Sequence, residues 1–91
     1  MKYRSRSEIT AMILESARAG ITKTKLMYKA YLSYNQVIEY LEFLQKNDLL
    51  IYEAGTQLYR PTEKGLKFMN ISHDLNEMVT VANPRYSLNS Q

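Results

Sequence analysis

The sequence predicts a mainly α fold carrying one small β-hairpin, an α+β domain, and three observations lead to that reading. Apolar residues recur at helical spacing in four stretches, two of them opened by a serine capping box. Two short β-prone runs, Leu49 to Glu53 and Gln57 to Arg60, are separated by Ala54-Gly55-Thr56 and closed by Pro61, which cannot extend a ladder. The chain has 91 residues, enough for one core and too few for a second independent one.

Taken in order, Ser5 and Glu8 form the first capping box, ahead of Ile9, Met12, Ile13 and Ala17. This first helix is expected to end near Gly20, a glycine at the C′ position, with Arg18 placed favourably against the helix dipole. Thr22 can cap a short second helix from Lys23 to Ala30, with Leu26 and Met27 facing inward and Lys25 and Lys29 sharing a face. Only Ala30, Tyr31 and Leu32 separate it from Ser33, which is helix-turn-helix spacing. The third helix, Ser33 to Lys46, opens on the second capping box, Ser33 with Gln36. Val37, Leu41 and Leu44 form its inward stripe, flanked by Tyr34 and Ile38, while Asn35, Gln36, Glu39 and Glu42 occupy the other face. A two-stranded hairpin is marginal alone in water, so it must lie against the helices as a small wing. Pro61-Thr62-Glu63 then starts a long fourth helix. There Phe68, Ile71, Leu75, Met78 and Ala82 recur in an a/d series, and Leu66 and Met69 lie on a partly different stripe. One stripe can seal the core; the other needs a partner. Asn83-Pro84 is expected to end the helix, leaving a frayed tail.

Charge narrows the function. The net charge is +3, but residues 1–29 carry +5 and the remainder −2, an asymmetry that suits a polyanionic partner. There is no Cys, which excludes disulfides and thiolate metal sites. No apolar run approaches membrane-spanning length, and a cytoplasmic protein is expected. An enzyme is not expected: the single histidine, His73, sits beside Asp74 on a helix surface, and no nucleophile, base and acid set or glycine-rich phosphate loop accompanies it. No cofactor or metal is implied. The eight tyrosines read mainly as core or boundary residues, with Tyr34 and Tyr40 as candidates to touch a phosphate. The start of the third helix is the candidate reader, since residues in the first turn of a groove-bound helix reach base edges, and Asn35 or Gln36 can pair with adenine.

The order helix, helix, turn, capped helix, hairpin, long helix is that of a winged helix-turn-helix domain. The segments ITKTKLMYKAYLSYNQ, YLEFLQKNDLLIY and YRPTEKGLKF resemble a family of small archaeal winged-helix proteins that includes dimeric DNA-binding chromatin or transcription proteins. The resemblance implies a winged domain over residues 1–70, a dimerisation helix over 62–83 pairing as a coiled coil, and a flexible tail over 84–91. It also implies double-stranded DNA as partner. Ser33, Tyr34, Asn35, Gln36 and Tyr40 would then contact DNA from the reading helix, Gln57 and Arg60 from the wing, and Arg4, Arg6, Lys23, Lys25 and Lys29 from the basic N-terminal part. Phe68, Ile71, Leu75, Met78 and Ala82 would form the homodimer seam. Glu39 and Glu42 depart from a phosphate-seeking surface, and favour the alternative of a winged-helix module that docks on another protein.

Overall fold

The structure, a computed structural model, describes residues 4–82, with side chains through Met78. The expected stop at Asn83-Pro84 and the tail beyond it lie outside the described residues. Four helices and one hairpin follow each other as α1 (Arg6–Ser16), α2 (Lys23–Lys29), α3 (Tyr34–Lys46), β1 (Leu50–Glu53), β2 (Leu58–Pro61) and α4 (Glu63–Ala82).

Each helix starts where its cap chemistry dictates. The hydroxyls of Ser5 and Ser33 accept from the amides of Glu8 and Gln36, whose side chains accept in return from the amides of Ser5 and Ser33. The Thr22 hydroxyl accepts from the Lys25 amide, and that of Thr62 from the Gly65 amide at 3.0 Å. The ends are less regular. α1 stops at Ser16 rather than near Gly20; Ala17 is its C-cap, and the chain turns before Gly20 takes φ +95°. α2 and α3 both end in Schellman turns without glycine. Tyr31 and Asp48 take the left-handed position at φ 56° and 61°, and the Leu32 and Leu49 amides donate back to the carbonyls of Met27 and Leu44.

The core lies where α1, α2 and α3 meet. Ile13, Leu14, Leu26, Val37 and Leu44 are its largest fully buried side chains, and Met69 of α4 closes one side. β1 and β2 pair antiparallel, with Tyr52 opposite Tyr59. Three details correct the expected strands. Gln57 lies in the turn, at φ 60°, and β2 begins at Leu58. Leu49 is a buried connector rather than a strand residue, and Pro61 pairs with Leu50 as the last residue of β2, a terminal position where its missing N–H breaks no ladder bond.

The wing does not hang free. Ile21, in the α1–α2 connector, exchanges both backbone hydrogen bonds with Tyr59, at 3.1 and 2.8 Å. Gly20 makes this approach possible, because a Cβ there would press on Leu58 and Arg60 of β2. Gly65 plays the same part at the other end of the hairpin: a Cβ on it would collide with the Leu49 carbonyl oxygen, so α4 can lie this close to the α3–β1 connection only with glycine there.

On α4 the two apolar stripes separate. Met69 is buried and Phe68 packs partly against the core, whereas Ile71, Leu75 and Met78 are 59, 57 and 64 % exposed. The sequence places Phe68 in an open seam; the structure gives part of its ring to the domain. The side chain of Ala82 lies outside the described ones. Among the described residues no helix is long and apolar enough to cross a membrane.

Candidate nucleic-acid interface

The capping of α2 and α3 brings their N-terminal ends to one surface. The Lys23 ammonium lies 5.4 Å above the ring of Tyr34, the first residue of α3, so a cation on α2 is held against the helix expected to read bases. Tyr34 and Asn35 stand exposed beside it. Ser33 and Gln36 are exposed too, but their side chains are committed to the cap: Gln36 accepts from the Ser33 amide at 2.9 Å through its own side-chain oxygen. Bidentate pairing with adenine uses an amide oxygen and nitrogen together, so an intact cap leaves Asn35 as the unencumbered amide. Glu39 and Glu42 are exposed farther along the same helix.

Tyr40 needs correction. A candidate to touch a phosphate, it is 8 % exposed, packed edge-to-face on Phe43 with centroids 6.5 Å apart. The Arg6 guanidinium lies over both rings, at 5.2 and 4.7 Å. The general reading of the tyrosines also changes, since Tyr28, Tyr31 and Tyr34 are 69, 82 and 56 % exposed.

The basic residues divide into committed and open groups. Arg4 is turned inward: its guanidinium donates to the carbonyls of Ala30 at 2.8 Å and Tyr31 at 3.1 Å, and meets the Met12 sulfur. Arg60 pairs with Glu53 at 3.0 Å and donates to the Ala19 carbonyl. The Arg60 guanidinium, helped by the Thr56 hydroxyl, holds the Glu53 carboxyl below its ordinary range. Lys25 and Lys29 are exposed and form no ion pair among the described residues.

Where the wing meets the start of α2, a shallow cleft of about 300 Å³ is lined by Thr22, Lys23, Tyr52, Gln57 and Tyr59. Tyr52 and Tyr59 contribute rings 4.8 Å apart, tilted by 46°. Gln57 is fixed at φ 60° by its amide bond to the Glu53 carbonyl. Burial pushes the Tyr59 phenol up, against the opposing pull of Lys23, so near neutral pH it stays protonated and able to donate. Of this cleft the sequence singles out only Lys23 and Gln57. The tyrosines face it through the β-register, a long-range relation that helical periodicity does not reveal.

His73 is exposed and lies 3.7 Å from Glu77 one helical turn on. Ser7, Ala11, Phe68, Ile71 and Leu75 help to line a groove of about 330 Å³ between α1 and α4.

A capped helix pair with a hairpin fastened beside the second helix defines a winged helix-turn-helix domain. Comparison with protein families agrees: the winged helix-turn-helix family matches residues 3–80, and the chain belongs to it. No curated protein matches the chain.

Proposed function

We propose that the protein binds double-stranded DNA, as a transcription regulator or an architectural protein of chromatin type, with the first turn of α3 in the major groove. The observation that carries this reading is the meeting of Lys23 with Tyr34 beside the exposed Asn35: a phosphate-seeking charge, an aromatic ring and a base-reading amide share one surface. The family is one in which DNA binding is the usual role. The resemblance to small archaeal winged-helix proteins supports the same choice. Glu39 and Glu42 limit contact to the start of the helix, because deeper insertion would bring carboxylates toward phosphates.

The active form is a homodimer joined through α4. The exposed Ile71, Leu75 and Met78 make an apolar stripe that a two-fold axis can pack on itself, presenting two reading helices to one duplex.

An anisotropy titration of duplex DNA at several salt concentrations tests the proposal. Log affinity should fall with log salt at about −0.9 per phosphate contact, and Lys25→Ala with Lys29→Ala should weaken all duplexes alike and flatten that slope. No binding to any duplex at low salt refutes the reading and leaves the acidic face of α3 as a surface for a protein partner.

A further inference from the structure

We infer that the cleft between the wing and α2 seats one DNA backbone phosphate, held by the Lys23 ammonium, the Tyr52 and Tyr59 hydroxyls and the Gln57 amide; the inference rests on the proposed DNA binding and names where one strand passes.

The lining is rich in donors. Lys23, Tyr52, Tyr59, Gln57 and Thr22, each carrying a donor, line the space, and among the described residues no carboxylate does. Glu53, the acidic residue of the wing, is drawn off by Arg60 and Thr56. A single positive charge among neutral donors fits an anion with several acceptor oxygens and one negative charge, which is the chemistry of a phosphodiester. The Thr22 hydroxyl accepts from the Lys25 amide and keeps its own proton free to donate.

The seat is also built to hold its shape. Lys23 is held over the Tyr34 ring, which limits its wandering, and Tyr59 is bonded through its backbone to Ile21, one residue before Thr22. The two sides of the cleft are therefore tied together within two residues of the lysine. Gln57 enters from a backbone conformation that most residues avoid and that its amide bond to Glu53 maintains. A strand lying along the N-terminal end of α3 reaches this cleft by way of Lys23, which borders both.

The experiment combines side-chain and backbone substitutions. Lys23→Ala, Tyr52→Phe and Tyr59→Phe are titrated against a duplex, and then against the same duplex with single methylphosphonates placed in turn along each strand. Circular dichroism confirms that each variant is folded. Lys23→Ala should lose about tenfold in affinity and flatten the salt slope by about 0.9, as removal of one charged contact requires. Tyr52→Phe and Tyr59→Phe, which keep the rings, should each lose severalfold with the slope unchanged, because no charge is removed. At one methylphosphonate position the wild-type protein should lose affinity, Lys23→Ala should lose little more, and the two tyrosine variants should lose less than the wild type. Variants that bind like the wild type, or losses that add at every methylphosphonate position, overturn the phosphate seat while leaving DNA binding in place. A wild-type protein that binds no duplex overturns both.

Discussion

Arg4 shows how a charge legible in the sequence can be engaged by the fold itself. Counted from the sequence it belongs to the basic surface; in the fold it braces the end of α2 by donating to the Ala30 and Tyr31 carbonyls. The brace acts where it is needed. Tyr31 sits in the left-handed region, which costs a side-chain-bearing residue about 1 kcal/mol, and its exposed ring recovers little of that by burial. Arg4→Ala should therefore lower duplex affinity by loosening the turn before α3 while leaving the slope of log affinity against log salt unchanged. A slope flattened by about 0.9 would instead make Arg4 a phosphate ligand. Asn35 is the complementary case. Asn35→Ala should lose on the order of 1 to 3 kcal/mol on a preferred site and much less on random duplex if it reads a base. Equal losses on both would mark sequence-tolerant binding. Neither the inward turn of Arg4 nor the burial of Tyr40 is local in sequence: the first depends on carbonyls 26 and 27 residues away, the second on which flank of the α3 stripe the neighbouring helices cover.

Among the elements, starts were more legible than stops. Ser5, Thr22 and Ser33 set helix starts through bonds to amides three residues on, a relation visible in the chain itself. α1 ends before Gly20, which serves the approach of β2 rather than the helix terminus. Gly65, within α4, has a comparable role that composition alone does not reveal. Gly65→Ala should destabilise the fold by about 1 to 3 kcal/mol, since the new methyl must displace the Leu49 carbonyl or the helix; chemical denaturation measures it, and a neutral result would mean α4 shifts freely. The wing carries a pH signature. Glu53 is depressed below its usual 4.5 in the fold, so its pairing with Arg60 contributes fully above that value and is lost as pH falls through the lower folded one. Amide exchange in β1 and β2 should accelerate relative to α3 as pH falls below 4.5 and through the lower folded value. Glu53→Gln should abolish that acid dependence.

At the scale of the molecule, the a/d series on α4 was legible as a stripe, and its division was not. Spacing put Phe68 and Leu75 on one line; only the three-dimensional core decides that Phe68 is half claimed while Leu75 stands 57 % exposed. Leu75→Glu places a charge on the outward part without touching the buried Met69. It should yield a folded monomer by sedimentation with weakened DNA affinity through lost bivalency. A wild-type protein that already sediments as a monomer at micromolar concentration removes the dimer. The paired backbone bonds between Ile21 and Tyr59 have a consequence for how a partner is met. They leave the wing little conformational freedom to surrender on binding, so the ordering entropy that a loose loop would lose is already spent in folding. Encounter with a polyanion should then be governed by long-range attraction, with an association rate that drops steeply as salt is added and a dissociation rate set by the short contacts.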